Sequence, residues 1–208
     1  MPLLGHAAML LTFDVVAEAI GEHDDWHTHE HLPERLSIPG FLRGTRWIAE
    51  SGEPSYFVSY EVASLETITA GAYLERLNNP TPWSRTMMPH HRNMVRSLCV
   101  LRASWGGGLP QTLATVRFAP PAAALRKLPQ RKGLTGAHLL ESQPMAGAPP
   151  TVEQKIRGGD RSADWVLLIG GYDAEAVKNA VTEDFDPQPG RIARLYRPAY
   201  SLTPKDQP

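Results

Sequence analysis

Cysteine is nearly absent from this chain: Cys99 is the only one in 208 residues. A lone thiol excludes an intrachain disulfide, and a reducing, cytoplasmic compartment is expected. A surplus of one charge is also missing. The 21 basic and 22 acidic side chains nearly cancel, whereas displacing counterions from nucleic acid takes a basic excess, so no nucleic-acid partner is expected. The N-terminal apolar run from Leu3 to Phe13 falls short of the ~20 residues that a membrane helix needs. Asp14 closes it, no basic residue precedes it and no cleavage-type residues follow, so it reads as a buried strand and not as a leader. No membrane partner is expected. Glycine loops of phosphate-binding form are lacking too, because Gly106–Gly108 has no strand–GxGxxG–helix setting. No nucleophile has a recognisable base partner.

What is present is an ordinary globular composition, 42% hydrophobic and 21% charged, outside the disordered range. The order of elements repeats. In the first half, Ala8–Phe13 reads as a strand, Glu22–Leu36 as a helix, and Phe41–Ala49 and Tyr56–Val62 as strands. A helix over Ser64–Leu77 follows, with Ser64 as its N-cap, then a loop rich in Asn and Pro, then a strand over Ser97–Trp105. After the glycine hinge the pattern returns: strand Thr112–Phe118, helix Ala122–Leu128, strands Gly133–Ser142 and Trp165–Tyr172, helix Ala174–Val181 and strand Ala193–Leu202. Each half is βαββαβ, the ferredoxin-like order. Gly40-Phe41 through Gly44 to Glu50-Ser51 is echoed by Gly133-Leu134 through Gly136 to Glu141-Ser142.

The predicted fold class is therefore α+β, two ferredoxin-like halves closing as a pseudo-dimeric α/β barrel. The expected units are 1–106 and 109–208, the second with an insertion at about 143–163. A sheet with helices on one face must cover its other face, since exposing it costs roughly 25 cal/mol per Å². Two halves in one chain provide that cover, and the space between sheet and helices is where a ligand is expected. Only the first half looks equipped for chemistry. Either a monomer or a homodimer satisfies this reading.

The chemistry centres on Glu22–Arg35, which holds four of the eight histidines. On a helix, His23, His27 and His31 share one face and His29 points away. Pro33 is expected to kink the helix and aim His31 inward. Three readings of this segment stand: His31 as a site acid/base with Glu30 or Glu34 orienting it, His27 and His31 as metal ligands, or a polar solvated face. The last is favoured for His23 and His29. His27-Thr28-His29-Glu30-His31 matches the H-x-x-E-H zinc pattern, but no third ligand is identifiable and the proline interrupts the helix.

Trp26, His31-Leu32-Pro33 and Ile38-Pro39-Gly40-Phe41 running into Arg46-Trp47 resemble the EthD-like family of the dimeric α/β-barrel superfamily. Asn79-Pro80-Thr81-Pro82-Trp83-Ser84 and Arg92 resemble a loop of its close relatives. The likeness covers about residues 22–105. It implies a ferredoxin-like fold, a cavity between sheet and helices, and His31 as the site position. The superfamily includes cofactor-free oxygenases, lactone isomerases, polyketide cyclases and haem-using enzymes, so the resemblance implies no single reaction. Members are commonly single-repeat proteins that dimerise, whereas here the partner half is built in.

The functional expectation is a cofactor-independent lyase, isomerase or oxygenase acting on a small apolar carbonyl compound. His31 is the candidate acid/base. Arg46 or Tyr60 is the oxyanion partner, and Trp26, His27, Trp47 and Trp83 are substrate contacts, Trp83 as a lid. Trp47 reads equally well as core, and Arg46 equally well as a solvated charge. No metal or other cofactor is expected. His90-His91-Arg92 could complete a metal or substrate site but reads more readily as a basic surface turn, and Cys99 reads as an inert core residue. The rival readings are a non-catalytic barrel that holds a hydrophobic metabolite, and a metal or haem enzyme using His27, His31 and a histidine near His90.

Overall fold

The computed structural model describes residues 3–69, 71–117, 122–143, 149–185 and 193–206. Its strands are β1 Ala7–Val15, β2 Phe41–Ala49, β3 Tyr56–Val62, β4 His91–Gly106, β5 Thr112–Val116, β6 Leu134–Ser142, β7 Trp165–Gly171 and β8 Ala193–Leu202. They close into a barrel in the order β1-β3-β2-β8-β5-β7-β6-β4, and all neighbours are antiparallel. The first four strands lie in the order β4-β1-β3-β2, and the last four in the matching order β8-β5-β7-β6. Each is a ferredoxin-like sheet, joined to the other along β2–β8 and β4–β6. Among the described residues, closure leaves no free sheet edge.

Strand alternation divides the core in two. Ala8 and Leu10 of β1 point into the barrel with Trp47, Phe57, Leu113, Leu140, Leu168 and Tyr196. Ala7, Met9 and Phe13 point outward, under the helices of the first half. Strand β3 lies between these layers and is buried along its whole length. The covering helices are α1 Ile20–Trp26, α2 Leu32–Leu36, α3 Gly71–Asn78 and α4 Pro82–Met87, followed by α5 Ala122–Leu125, α6 Val152–Ile156 and α7 Ala174–Asp184. Among the described residues, none is long and apolar enough to cross a membrane. The seam between the sheets needs Gly106, which has φ +75° and whose Cβ would lie 2.0 Å from the Thr135 carbonyl oxygen.

Several expectations change. The helix foreseen over Ser64–Leu77 is a 3-10 turn, Leu65–Ile68, followed by α3, and the Ser64 side chain makes no cap bond. Part of the Asn/Pro loop is helical: Pro82 starts α4 where its missing N–H costs nothing, and Thr81 Oγ1 accepts from Ser84 N at 3.0 Å. The strand foreseen to start at Ser97 starts at His91, because β1 extends its pairing to Asp14↔Arg92 and Val15↔His91. Phe118 and residues 144–148 of the expected insertion lie outside the described residues.

Candidate active site

One continuous helical path, Ile20–Leu36, covers the outer face of the first sheet. Its middle turn, His27–His31, is wider than an α-turn: Leu32 N bonds His27 O, five residues back. Pro33 has no amide hydrogen for the carbonyl four residues before it, so the ladder yields there by widening. This has a geometric effect. In an unbroken α-helix, a step of four residues drifts by about 40°, so His23 and Arg35 would face apart. Here His27, His31 and Arg35 line a single cavity.

The cavity floor is made by Met9 and Phe13 of β1, Val58 and Tyr60 of β3, and His91 and Met94 of β4. Its volume is about 30 Å³, room for one or two waters. Four polar atoms of this lining are buried and have no hydrogen-bond partner: His27 Nδ1, His31 Nδ1, His91 Nδ1 and the Tyr60 hydroxyl. Buried polar groups are nearly always paired, and an unpaired one costs about 1–3 kcal/mol. Four such atoms on residues lining one space make it the candidate site.

Charge reaches the cavity through Arg35, 1% exposed, which pairs with Glu34 at 3.0 Å and more closely with Glu153. Glu153, 2% exposed, also pairs with Arg157 at 3.6 Å, and Arg157 makes two 2.7 Å bonds to Asp160. Glu153 and Arg157 both line the cavity. They belong to the insertion of the second half, on and just beyond α6, which Thr151 and Gln154 fix by a reciprocal capping box. Equipment for the site is thus not confined to the first half.

Burial holds the His27, His31 and His91 imidazoles well below their ordinary titration range. Neighbouring cations push the same way: Arg46 at His27, Arg35 at His31, and Arg157 at His91. All three are neutral near pH 7. Burial pushes the Tyr60 phenol up, so it stays protonated. At Arg35, burial alone would favour the neutral form, but Glu153, Tyr73 and Glu34 outweigh it and the guanidinium keeps its charge. The cavity therefore presents neutral proton acceptors, a protonated phenol, and the Arg35 and Arg157 cations with Glu153 between them.

Of the residues singled out from sequence, His27, His31, Trp26 and Tyr60 come together in this cavity. Trp26 stacks obliquely on His31 at 4.4 Å and donates to Glu30 Oε1 at 3.1 Å. Trp47 lies across the sheet, inside the barrel, bonded to Ser59 Oγ at 3.2 Å. Trp83 packs with Trp26, Met87 and Met88 beyond the lining and donates to Glu22 at 2.8 Å. Arg46 is buried beside Asp24, donating to its backbone carbonyl at 2.9 Å. His23, expected on a solvated face, is fully buried, whereas His29 is exposed. His91, expected in a surface turn, is buried at the site because β4 begins there. Cys99 is buried in the barrel interior, where burial alone raises its thiol to about 12. Among the described residues, no three His, Cys, Asp or Glu side chains are grouped to hold a metal.

Arg35, Glu153 and Arg157 were not foreseen as site residues, and a histidine near His90 entered only through the metal or haem reading. Arg35 continues the four-residue spacing of His23, His27 and His31. The Thr151-x-x-Gln154 pair is a legible helix start with Glu153 and Arg157 four apart behind it.

No family model matches the chain, and no curated protein matches it. Solved structures do. An anthrone oxidase-like protein superposes with a TM-score of 0.60 at 13% identity, covering 96% of this chain and 93% of its own. A provisionally assigned monooxygenase of Fusobacterium nucleatum subsp. nucleatum gives 0.57 at 10% identity, covering 97% and 96%. A haem-binding protein of Thermus thermophilus gives 0.51 at 13%, covering 95% and 92%. Such identities show the fold alone. The class so defined is the dimeric α/β barrel, here with both sheets on one chain. The activities named for these neighbours are theirs.

Proposed function

We propose that this chain is a small-molecule enzyme of EthD-like type that carries out acid/base chemistry on a carbonyl compound in the cavity beneath the histidine helix. The observation that carries it is that His27, His31, His91 and Tyr60, which line one space beside Arg35, each hold a buried polar atom without a partner. The neutral His31 imidazole takes a proton from the carbon next to a carbonyl. The Tyr60 hydroxyl donates to the carbonyl oxygen, and Arg35 offsets the charge that develops on it. Trp26 forms a wall. Arg96 lies between the cavity and a groove of about 530 Å³, bordered by Leu74, Leu77 and Leu98. That size suits the body of a small apolar molecule, with its reacting end reaching inward as side chains withdraw. Units 1–106 and 109–208 act as the two members of a built-in dimer in a reducing, cytoplasmic setting. The resemblance of residues 22–105 to EthD-like proteins and the likeness to oxidase-like barrels support an isomerase, lyase or cofactor-free oxygenase.

Native mass spectrometry of the purified protein, then release and identification of anything bound, tests this. The expected result is a carbonyl- or phenol-bearing molecule that the protein converts and the His31→Ala variant does not. A stoichiometric metal or haem would overturn it. A ligand held equally by both proteins and recovered unaltered would make the chain a non-catalytic binding barrel.

A further inference from the structure

A base buried beneath a helix faces a difficulty of its own: the proton it removes must go somewhere that a low-dielectric interior can tolerate. His91 and His23 answer it. Their Nε2 atoms are 3.1 Å apart, and His23 Nδ1 lies 3.3 Å from Asp24 Oδ1. The Asp24 side chain is 30% exposed, so this line of contacts runs from the cavity lining to solvent. Asp24 is fixed by Tyr56, whose hydroxyl donates to Oδ1 at 3.1 Å, and by Arg46, 3.7 Å from the same oxygen.

The hydrogen positions follow by elimination. A neutral imidazole has one N–H and one lone pair, and a carboxylate only accepts. Burial would favour a protonated Asp24, but the His23 hydrogen bond and Arg46 outweigh it and keep the carboxylate ionised. His23 therefore carries its hydrogen on Nδ1, facing Asp24, and presents a lone pair at Nε2. The 3.1 Å contact then requires the hydrogen on His91 Nε2. What remains on His91 is a bare lone pair at Nδ1, an atom buried and unpartnered on a residue that lines the cavity.

We propose that His91, His23 and Asp24 form a proton relay joining the cavity to solvent, with His91 Nδ1 as its inner end. This rests on the acid/base reading above and adds where its proton travels. A proton arriving at His91 Nδ1 releases the one on His91 Nε2 to His23 Nε2. His23 passes its Nδ1 proton to Asp24 Oδ1, and Asp24 loses it to water. One proton enters, one leaves, no charge stays inside and no electrons move. Returning a proton to the product runs the same steps backwards and restores both tautomers. Other charged or titratable groups facing the relay are His27, Arg46 and His90 at His23, and His27, His31, Arg157, His90 and Arg92 at His91.

Nitrogen-15 NMR of the full chain with labelled histidine rings tests this without a substrate. The wild-type protein is expected to show His23 protonated at Nδ1, His91 protonated at Nε2, and a scalar coupling between the two Nε2 nuclei. Exchange of the His91 ring proton with water should slow by about 100-fold in Asp24→Asn, the lower end of what a positioned acid/base group supplies. Asparagine keeps an acceptor for His23 but cannot relay the proton. His29→Gln, on an exposed ring bonded to the Asp25 carbonyl, should leave exchange unchanged. A wild-type His91 protonated at Nδ1 would overturn the proposal, as would unchanged exchange in a folded Asp24→Asn protein. If that variant does not fold, the wild-type tautomers decide alone. Neither failure touches the reading of the cavity, which is judged on the released ligand.

Discussion

Arg35 and Glu153 stand 118 residues apart in the chain and form an ion pair in which both side chains are out of reach of solvent. Each belongs to a different ferredoxin-like half, so the pair ties the second half to the histidine helix of the first. Breaking a buried pair from one side leaves the other charge uncompensated, at about 3–5 kcal/mol. Because Arg35 keeps Glu34 and Arg157 keeps Asp160, Glu153→Leu is expected to lower stability in urea by less than that, about 1–3 kcal/mol. The double variant Arg35→Met, Glu153→Leu should recover most of it, since apolar replacement of both partners is often neutral. A double variant no better than the single one would contradict this account.

Acid should unfold the protein early. His23, His27 and His91 are buried and their pKa values in the folded state are depressed, chiefly by burial. Below the unfolded value of about 6.5, the unfolded chain binds protons that the folded chain refuses. Stability is thus complete above about pH 6.5 and falls as pH drops, by up to about 1.4 kcal/mol per pH unit for each imidazole. Unfolding free energies from urea titrations between about pH 7.5 and pH 5 should show this slope; a flat profile would exclude it.

Tyr60→Phe removes a buried hydroxyl that has no partner. Loss of such a group relieves its desolvation penalty, about 1 kcal/mol, which raises the thermal midpoint by about 2–4 °C in a chain of this size. The same variant should slow turnover. A midpoint that falls instead would mean that the hydroxyl is structurally satisfied in solution.

Gly44 brings the helix onto β2. A Cβ there would lie 3.1 Å from Leu32 Cγ and Cδ2 and 3.2 Å from Tyr60 Cδ1. Gly44→Ala is expected to cost about 1–3 kcal/mol by overpacking. Gly21→Ala, in α1 with nothing within 4 Å, should stabilise by about 0.5–1 kcal/mol. Chemical denaturation of the two variants side by side checks both signs.

The architecture was largely legible. Phe41–Ala49, Tyr56–Val62 and Ala193–Leu202 match their predicted limits, because runs of branched and aromatic residues end at turn formers. β4 was read short because His91-Arg92-Asn93 is polar and holds Asn93 at φ 56°; pairing with β1 overrides local preference there. The site was legible along the helix, where periodicity sets faces, up to the proline. Beyond it the four-residue rhythm survives only through a widened turn that spacing rules do not foresee. Glu153 and Arg157 reach the cavity through tertiary packing alone, which no local pattern encodes.

The seams β2–β8 and β4–β6 join two sheets of one covalent chain. In a barrel made from two identical subunits, every substitution appears twice, so a polar cavity beneath one sheet is matched by another beneath its mate. Here that bond is cut. Beneath α7 the second sheet packs Val177, Ala180 and Val181 against Leu167 and Ile169, while the first keeps its unpartnered imidazoles. The second half lends Glu153 and Arg157 to that one cavity and packs apolar side chains beneath its own helix, so the desolvation of buried polar groups is concentrated in a single place.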